Sequence, residues 1–286
     1  MRIVVIGADG NIGGRLAPIL QAREHDVLGY TWQDMDITSK DAVLDMMSQR
    51  RPELVIHCAG MTNVDRCAEQ PDEALRVNGA GTRIVALACQ RFGSALCYLS
   101  TNEVFDGERG TSYLEYDVPN PINAYGYSKW VGEQAVRDLQ PPHYIVRTSW
   151  VFSHTGQNFL QRIVAKATAG EPLSVVTSEV ASPTYCDDLV AALADLVQTG
   201  MYGTYHLTNE GRASRYEFAR AILDAYGFTD YPITPVIGAQ FPRPSRPPVY
   251  AVLRNFMAAQ MGIQLRPWRE AIAAFVARER ISLSRQ

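Results

Sequence analysis

The chain has 286 residues, enough for one large domain or two modest ones with a sizeable core. With 47% hydrophobic residues, 20% charged residues and a formal charge of -3, it carries no electrostatic footprint for nucleic acid or a membrane surface. There is no ~18-residue apolar run, no signal-like leader before Arg2, and no CxxC, HxxH or Cys/His cluster around Cys58, Cys67, Cys89, Cys97 and Cys186, so the expectation is a cytoplasmic protein with reduced thiols and no metal site.

Ile3 to Ile6 is a continuous apolar run, as in a strand buried on both faces. Gly7-Ala8-Asp9-Gly10-Asn11-Ile12-Gly13 follows and opens a helix from about Asn11 to Arg23, which Pro18 is expected to kink. Further strands are expected at Asp26–Tyr30, Glu53–Cys58, Ala95–Ser100 and Tyr144–Ser149. Between them, Thr38-Ser39-Lys40-Asp41 resembles a capping box, Pro71–Phe92 reads as one long amphipathic helix ended by Gly93, and Ala124–Leu139 as another helix. Strands alternating with helices of this length predict an α/β fold with a doubly wound, Rossmann-like parallel sheet. The second half is less regular. Helices are expected over Asn158–Thr168, Cys186–Gln198, Ser214–Tyr226 and Pro267–Arg278, with a short strand at Tyr205–Leu207. Phe241 to Pro248 carries four prolines and fits neither a helix nor an interior strand. The expected plan is a dinucleotide-binding domain over 1–150, with segments returning from about 174–200, and a smaller, mostly helical substrate-binding lobe over 151–286.

Gly7, Gly10 and Gly13 stand directly after the first strand, where backbone amides at a helix N-terminus can hold a pyrophosphate; a ligand-free glycine turn is the plainer alternative. The second strand ends in Tyr30-Thr31-Trp32-Gln33, which has neither the acid that favours NAD nor the base that favours NADP. Asp34 and Asp36 follow shortly, and NADPH and NADH both remain open. Ser100 or Thr101 leaves the fourth strand at its carboxyl edge and is placed to hydrogen-bond a substrate carbonyl. Tyr125 and Lys129 stand four residues apart, so a helix brings phenol and ammonium to one face. A cation there lowers a phenol's pKa and makes the pair a proton donor for a carbonyl under reduction. The chain has only three lysines (Lys40, Lys129, Lys166) against 24 arginines, so a lysine at this position is a distinct choice.

Taken together, these motifs resemble the extended short-chain dehydrogenase/reductase superfamily. Cys58 to Asp65, Thr101 to Gly107, Pro121 to Lys129, Gly132-Glu133, Arg147 to Val151 and Ser182-Pro183-Thr184 narrow the resemblance to the dTDP-4-dehydrorhamnose reductase family, over nearly the whole chain. The resemblance implies hydride transfer from NADPH or NADH to C4 of a dTDP-4-keto-6-deoxyhexose. It gives Tyr125 the role of proton donor, Lys129 the nicotinamide ribose and Tyr125 pKa, and Thr101 the carbonyl oxygen. It places Gly7, Gly10, Asn11, Ile12 and Gly13 at the pyrophosphate, and Asp36, Ile37, Ala59, Gly60 and Thr62 along the adenosine and ribose path. It puts Trp150 against the sugar, with plain core packing as the alternative, and Asn158 at the substrate border. It puts Arg246 at the diphosphate, with Arg243 competing. Where that family usually has Thr-Asp-Tyr, this chain has Thr101-Asn102-Glu103, which places Asn102 and Glu103 beside the sugar and bears on which sugar is accepted. A nucleotide sugar is the implied partner, and a homodimer is compatible with it. Two other readings share the resemblance: an epimerase or dehydratase that retains NAD, and a non-catalytic subunit resembling the beta subunit of methionine adenosyltransferase.

Overall fold

The computed structural model describes residues 1–139, 142–238 and 242–283. β1 (Arg2–Ile6) is buried at every position after Arg2. The glycine loop leads into α1 (Gly13–Ala22), which continues through Pro18 and buries Leu16 and Leu20. β2 (Asp26–Tyr30) is half exposed, as suits an edge strand. Ser39 caps α2 (Lys40–Arg50) by accepting the Ala42 amide at 3.4 Å, and the acid, Asp41, stands one place short of the position that would complete a capping box. β3 (Leu54–His57) is wholly buried and is followed by a short α3 (Val64–Glu69) that the sequence did not announce.

The single helix expected over Pro71–Phe92 is three pieces. α4 (Pro71–Ala74) passes into a π-helical segment over Leu75–Gly81 and then into α5 (Thr82–Phe92), closed by Gly93 at φ 72°. Widened turns of this kind concentrate at functional sites. Here the turn carries Asn78, whose Oδ1 accepts the Met61 amide at 2.8 Å while its Nδ2 donates to the Met61 carbonyl and to Ser128 Oγ, both at 2.9 Å. An apolar period reports which face is buried; it does not report one extra residue in a turn.

β4 (Ala95–Thr101) comes next, then α6 (Ala124–Leu139), whose first turn is capped by Asn123 Oδ1 accepting the Gly126 amide at 2.8 Å. After β5 (His143–Thr148) the chain builds β6 (Val151–Phe152), α7 (Phe159–Thr168), β7 (Leu173–Val176), β8 (Val180–Ala181) and β9 (Thr184–Tyr185). α8 (Cys186–Leu196) and β10 (Gly203–His206) follow, then β11 (Ala213–Ser214), α9 (Arg215–Ala225), β12 (Ile233–Val236), α10 (Phe256–Gln260) and α11 (Trp268–Leu283).

Six strands form one parallel sheet in the order β2-β1-β3-β4-β5-β10. Alternation along β1 sends Ile3 and Val5 into a core with Leu16, Leu189 and Leu193, and Val4 and Ile6 into one with Val43, Met47 and Val136. The sheet is thus covered on both faces. Of the stretch 174–200, α8 packs on the sheet face beside α1, whereas β7 pairs with β12 outside the sheet. A third core of Phe152, Phe218, Trp268 and Phe275 gathers β6, α9 and α11. Residues 242–248 contain neither helix nor strand; Phe241, at the start of that expected loop, lies outside the described residues. No helix among the described residues is long and apolar enough to cross a membrane. The order of strands reverses between β1 and β3, and open sheets of this kind bind ligands at such a carboxyl-edge switch point.

Candidate active site

The glycine loop is closed by sterics. Gly7 has φ 83°, and a Cβ there would stand 2.7 Å from the Ala59 amide nitrogen. A Cβ on Gly13 would overlap the Gly7 carbonyl oxygen. The Gly10 amide donates to that same carbonyl at 3.1 Å. Ile12 occupies the cap position of α1 and no side chain caps the helix; the Gly14 amide donates to the Gly10 carbonyl at 2.9 Å and the Arg15 amide to the Ile12 carbonyl at 3.2 Å, which leaves the Asn11, Ile12 and Gly13 amides for an anion. Asn11 joins the loop to the second lobe: its Oδ1 accepts the Thr155 hydroxyl at 3.1 Å and its carbonyl accepts the Cys186 thiol at 3.1 Å.

From this loop a narrow path runs across the edge of the sheet. Ala59 abuts Gly7, and the side-chain position of Gly60 lies 3.8 Å from Lys129 Nζ. Thr62 is exposed at its rim, and Ile37 is buried against Gly81. Asp34 and Asp36 are both exposed and both engaged locally. Asp34 accepts the Thr31 amide at 2.8 Å and its hydroxyl at 2.7 Å; Asp36 accepts the Thr38 amide at 2.9 Å and its hydroxyl at 2.8 Å. The backbone hydrogen bonds in these turns hold both carboxyls below their ordinary value. The uncapped helix start, the glycine-lined path and the lysine at its end fit an extended dinucleotide.

At the other end of the path, the structure brings Thr101, Tyr125 and Lys129 together. Thr101 ends β4; its Oγ1 accepts the Glu103 amide at 3.2 Å and donates to Asn102 Oδ1 at 3.3 Å, and the Tyr125 phenol stands within its reach. Burial pushes the Lys129 ammonium down to about 7, with Glu133, Cys58 and Cys67 pulling the other way. Its Nζ sits 4.1 Å from the centre of the Tyr98 ring. The expected lowering of Tyr125 is not what the structure shows. Burial raises the phenol well above its ordinary value, the Glu103 charge adds to that, and the Thr101 hydrogen bond only partly offsets it. Burial, and not the lysine one turn away, dominates this phenol.

The residues after Thr101 divide. Asn102 is buried and donates to the Ala251 carbonyl at 3.2 Å, tying the end of β4 to the second lobe. Glu103 is also buried, and its Oε2 accepts Asn123 Nδ2 at 2.8 Å. Burial raises the Glu103 carboxyl, and Asn123, Arg215 and Arg243 draw it back. Those arginines belong to a chain of alternating charge. Arg215 meets Glu179 at 3.4 Å, and Arg243 meets Asp65 at 2.9 Å and Glu179 at 3.8 Å. Arg215 lies 3.5 Å over the centre of the Trp150 ring, so one face of that ring is covered by guanidinium. Trp150 takes φ 41°, an uncommon conformation for a bulky residue. Asn158 spends its amide locally, donating to the Ser153 carbonyl at 2.7 Å and capping α7 through the Gln161 amide at 3.2 Å. Arg246 is exposed, and its carbonyl accepts Asn123 Nδ2 at 3.1 Å. Asn78, Glu179 and Arg215 were missed from sequence. No motif marks them, because each reaches the site through a contact with a segment distant in the chain.

The family profile described as "RmlD substrate binding domain" matches residues 1–281. A dTDP-4-dehydrorhamnose reductase of Mycolicibacterium smegmatis is 39% identical over 280 residues, covering 96% of this chain and 85% of that protein. A dTDP-4-keto-6-deoxy-D-glucose reductase of Streptomyces niveus is 34% identical, covering 95% of each. The crystal structure of a dTDP-4-dehydrorhamnose reductase from Bacillus anthracis in complex with NADP superposes with a TM-score of 0.93 at 36% identity, over 97% of this chain and 99% of that one. A match across the whole fold, with the Thr–Tyr–Lys group in place at the carboxyl edge, leaves one conclusion: the chain belongs to the RmlD substrate binding domain family, the family of the dTDP-4-dehydrorhamnose reductases.

Proposed function

We propose that the chain reduces the C4 ketone of a nucleotide-linked 4-keto-6-deoxyhexose with NADPH or NADH, in the simplest case dTDP-4-dehydrorhamnose to dTDP-rhamnose. The observation that carries this is the convergence of Thr101, Tyr125 and Lys129 at the end of a glycine-lined path. When bound, the reduced nicotinamide supplies the hydride. The protein's own part is to hold the ketone oxygen at Thr101 and Tyr125 and to deliver the Tyr125 proton to the forming alkoxide. Lys129 would grip the ribose hydroxyls, and Gly7, Gly10, Asn11, Ile12 and Gly13 would hold the pyrophosphate. Asp36, Ile37, Ala59, Gly60 and Thr62 would line the adenosine side. Arg246 would pair with the charged end of the substrate, with Arg243, which stands among Asp65 and Glu179, competing for that role. The five free thiols support a cytoplasmic setting, and a homodimer is compatible with the reading.

The test is turnover of dTDP- and GDP-linked 4-keto-6-deoxyhexoses with NADPH and NADH, with the product identified by NMR. Reduction at C4 is expected with at least one dTDP sugar; oxidation of neither cofactor would refute the proposal.

Lys129 gives the reaction a pH dependence. The amine is cationic below about 7 and neutral above it, and the cationic form is the one that assists the phenol. The kcat/KM for NADPH is therefore expected to fall above pH 7, by about a decade per unit in the limit of one lost proton. A flat profile from pH 6 to 9 would show that the ammonium is retained. Stability moves oppositely: the unfolded chain keeps this proton up to 10.5 and the folded site only to about 7, so the cost of burying the charge is lifted across that window.

A further inference from the structure

Lys129 is buried, and no carboxylate among the described residues pairs with its ammonium. Glu133, one turn on along α6, is engaged with Arg147 at 2.7 Å and Arg137 at 3.2 Å. The other titratable groups around Lys129 are His57 and Cys58 at the end of β3, Cys67 on α3 and Tyr125 on α6. None supplies a negative charge. Burial holds the His57 ring down to about 3 and pushes the Cys58 and Cys67 thiols up to about 12 and about 11, and the Tyr125 phenol is raised as well. What meets the ammonium is a ring face: Lys129 Nζ stands 4.1 Å from the centre of the Tyr98 ring. Such a face is the negative part of an aromatic quadrupole, and its pull on a cation grows where water is excluded. The ring is fixed in place. Tyr98 is wholly buried on β4, its hydroxyl donates to the Lys129 carbonyl at 3.4 Å, and the His57 ring packs on it at 5.4 Å. Gly132, three residues after Lys129 on the same side of α6, makes the room for it: a Cβ there would stand 2.4 Å from the Tyr98 hydroxyl oxygen.

We propose that Tyr98 is a positioning residue for the reduction, its ring face standing where a counter-ion would and holding the Lys129 ammonium in its cationic form one turn from Tyr125. This deepens the reaction proposed above and rests on it. The choice of a ring over a carboxylate has a chemical reason. A carboxylate in contact would accept hydrogen bonds from the ammonium and cancel its charge. A ring attracts the charge as a whole and leaves the N–H donors free for the hydroxyls of the cofactor ribose.

The experiment uses the scarcity of lysine. With only Lys40, Lys129 and Lys166 in the chain, isotope-labelled lysine gives three side-chain NMR signals, and the Lys129 signal is identified by its loss in Lys129→Arg. Its titration midpoint, near 7 in the parent, is expected to fall by about one pH unit, or about tenfold in proton affinity, in Tyr98→Leu and to stay in place in Tyr98→Phe. The pH above which kcat/KM for NADPH declines is expected to move down with it. A midpoint or a decline that Tyr98→Leu leaves unmoved overturns the assignment. Where Tyr98→Leu does not fold, fluorinated phenylalanines in place of Tyr98 replace it. They keep the ring and weaken its negative face, so the midpoint is expected to step down with each added fluorine, and a constant midpoint overturns the assignment. A ring that served packing alone would give that constant midpoint. The NMR titration needs no turnover, so its failure is distinct from a parent enzyme that reduces no sugar, which would overturn the reductase reading itself.

Discussion

Tyr125→Phe is expected to lower the single-turnover rate of ketone reduction by ~10²–10⁴-fold while NADPH affinity stays at the parent value. The expectation follows from the environment of the phenol. Burial and the Glu103 charge hold its pKa well above the ordinary value, so the group is fully protonated at neutral pH, as a proton donor in the reductive direction must be. The same environment makes it a weak acid, and this is where Thr101 and Lys129 matter. One donates to the phenolate as it forms, and the other supplies a cation one helical turn away. Removing the hydroxyl takes away the proton and leaves the cofactor path untouched. Stopped-flow decay of NADPH fluorescence after mixing with sugar measures the rate, and equilibrium titration measures the affinity. A variant with full rate would assign the proton to another group, with the Thr101 hydroxyl the first to examine.

The second large effect is on stability. Glu133 and Arg147 form a bidentate pair at 2.7 and 2.9 Å in which neither side chain is exposed. Ser100 Oγ donates to Glu133 Oε1 at 2.6 Å, and Arg137 approaches the other oxygen at 3.2 Å. Burial alone would push the Glu133 carboxyl up; Arg147, Arg137 and Ser100 outweigh it and hold it below its ordinary value. Glu133→Gln leaves the Arg147 guanidinium without its counter-charge and is expected to cost ~3–5 kcal/mol in urea unfolding. The double variant Glu133→Leu/Arg147→Met is expected to recover most of that loss, because an apolar pair does not strand a charge. The folded-state value of Glu133 lies below the unfolded one. Its contribution is therefore present above the usual carboxylate range and is lost as pH falls through the folded value, and the variant should lack that acid limb. A single variant as stable as the parent would mean that water or a shifted side chain solvates Arg147.

The parts of the fold legible in the sequence are those whose cause is local. β1, the glycine loop and α1 are contiguous, and an apolar run followed by Gly7, Gly10 and Gly13 permits few other structures. Thr101 and the Tyr125–Lys129 pair were legible because a strand end and one helical turn determine their positions. What the sequence hid depends on distant partners. Nothing near Asn78 announces that it will reach Met61 and Ser128, or that its helix must widen to let it do so. Arg215 opens α9, more than a hundred residues after Glu103, and their relation exists only once the chain between them has folded. The direction of the Tyr125 shift is hidden from the sequence for the same reason. Helical spacing tells which charge is near; it does not tell how much water the fold removes.

The π-helical segment over Leu75–Gly81 has a consequence for how this chain could change over time. A π turn is an α-helix holding one residue more than the ladder needs. Loss of a single codon there would return the segment to an ordinary helix, and would swing Asn78 by roughly 100° around its axis, the angle of one residue in an α-helix. The amphipathic face and the core beneath α5 would survive, while the bracket joining the Met61 backbone to α6 would not. Deleting one residue there is expected to cost that bracket while sparing the core beneath α5.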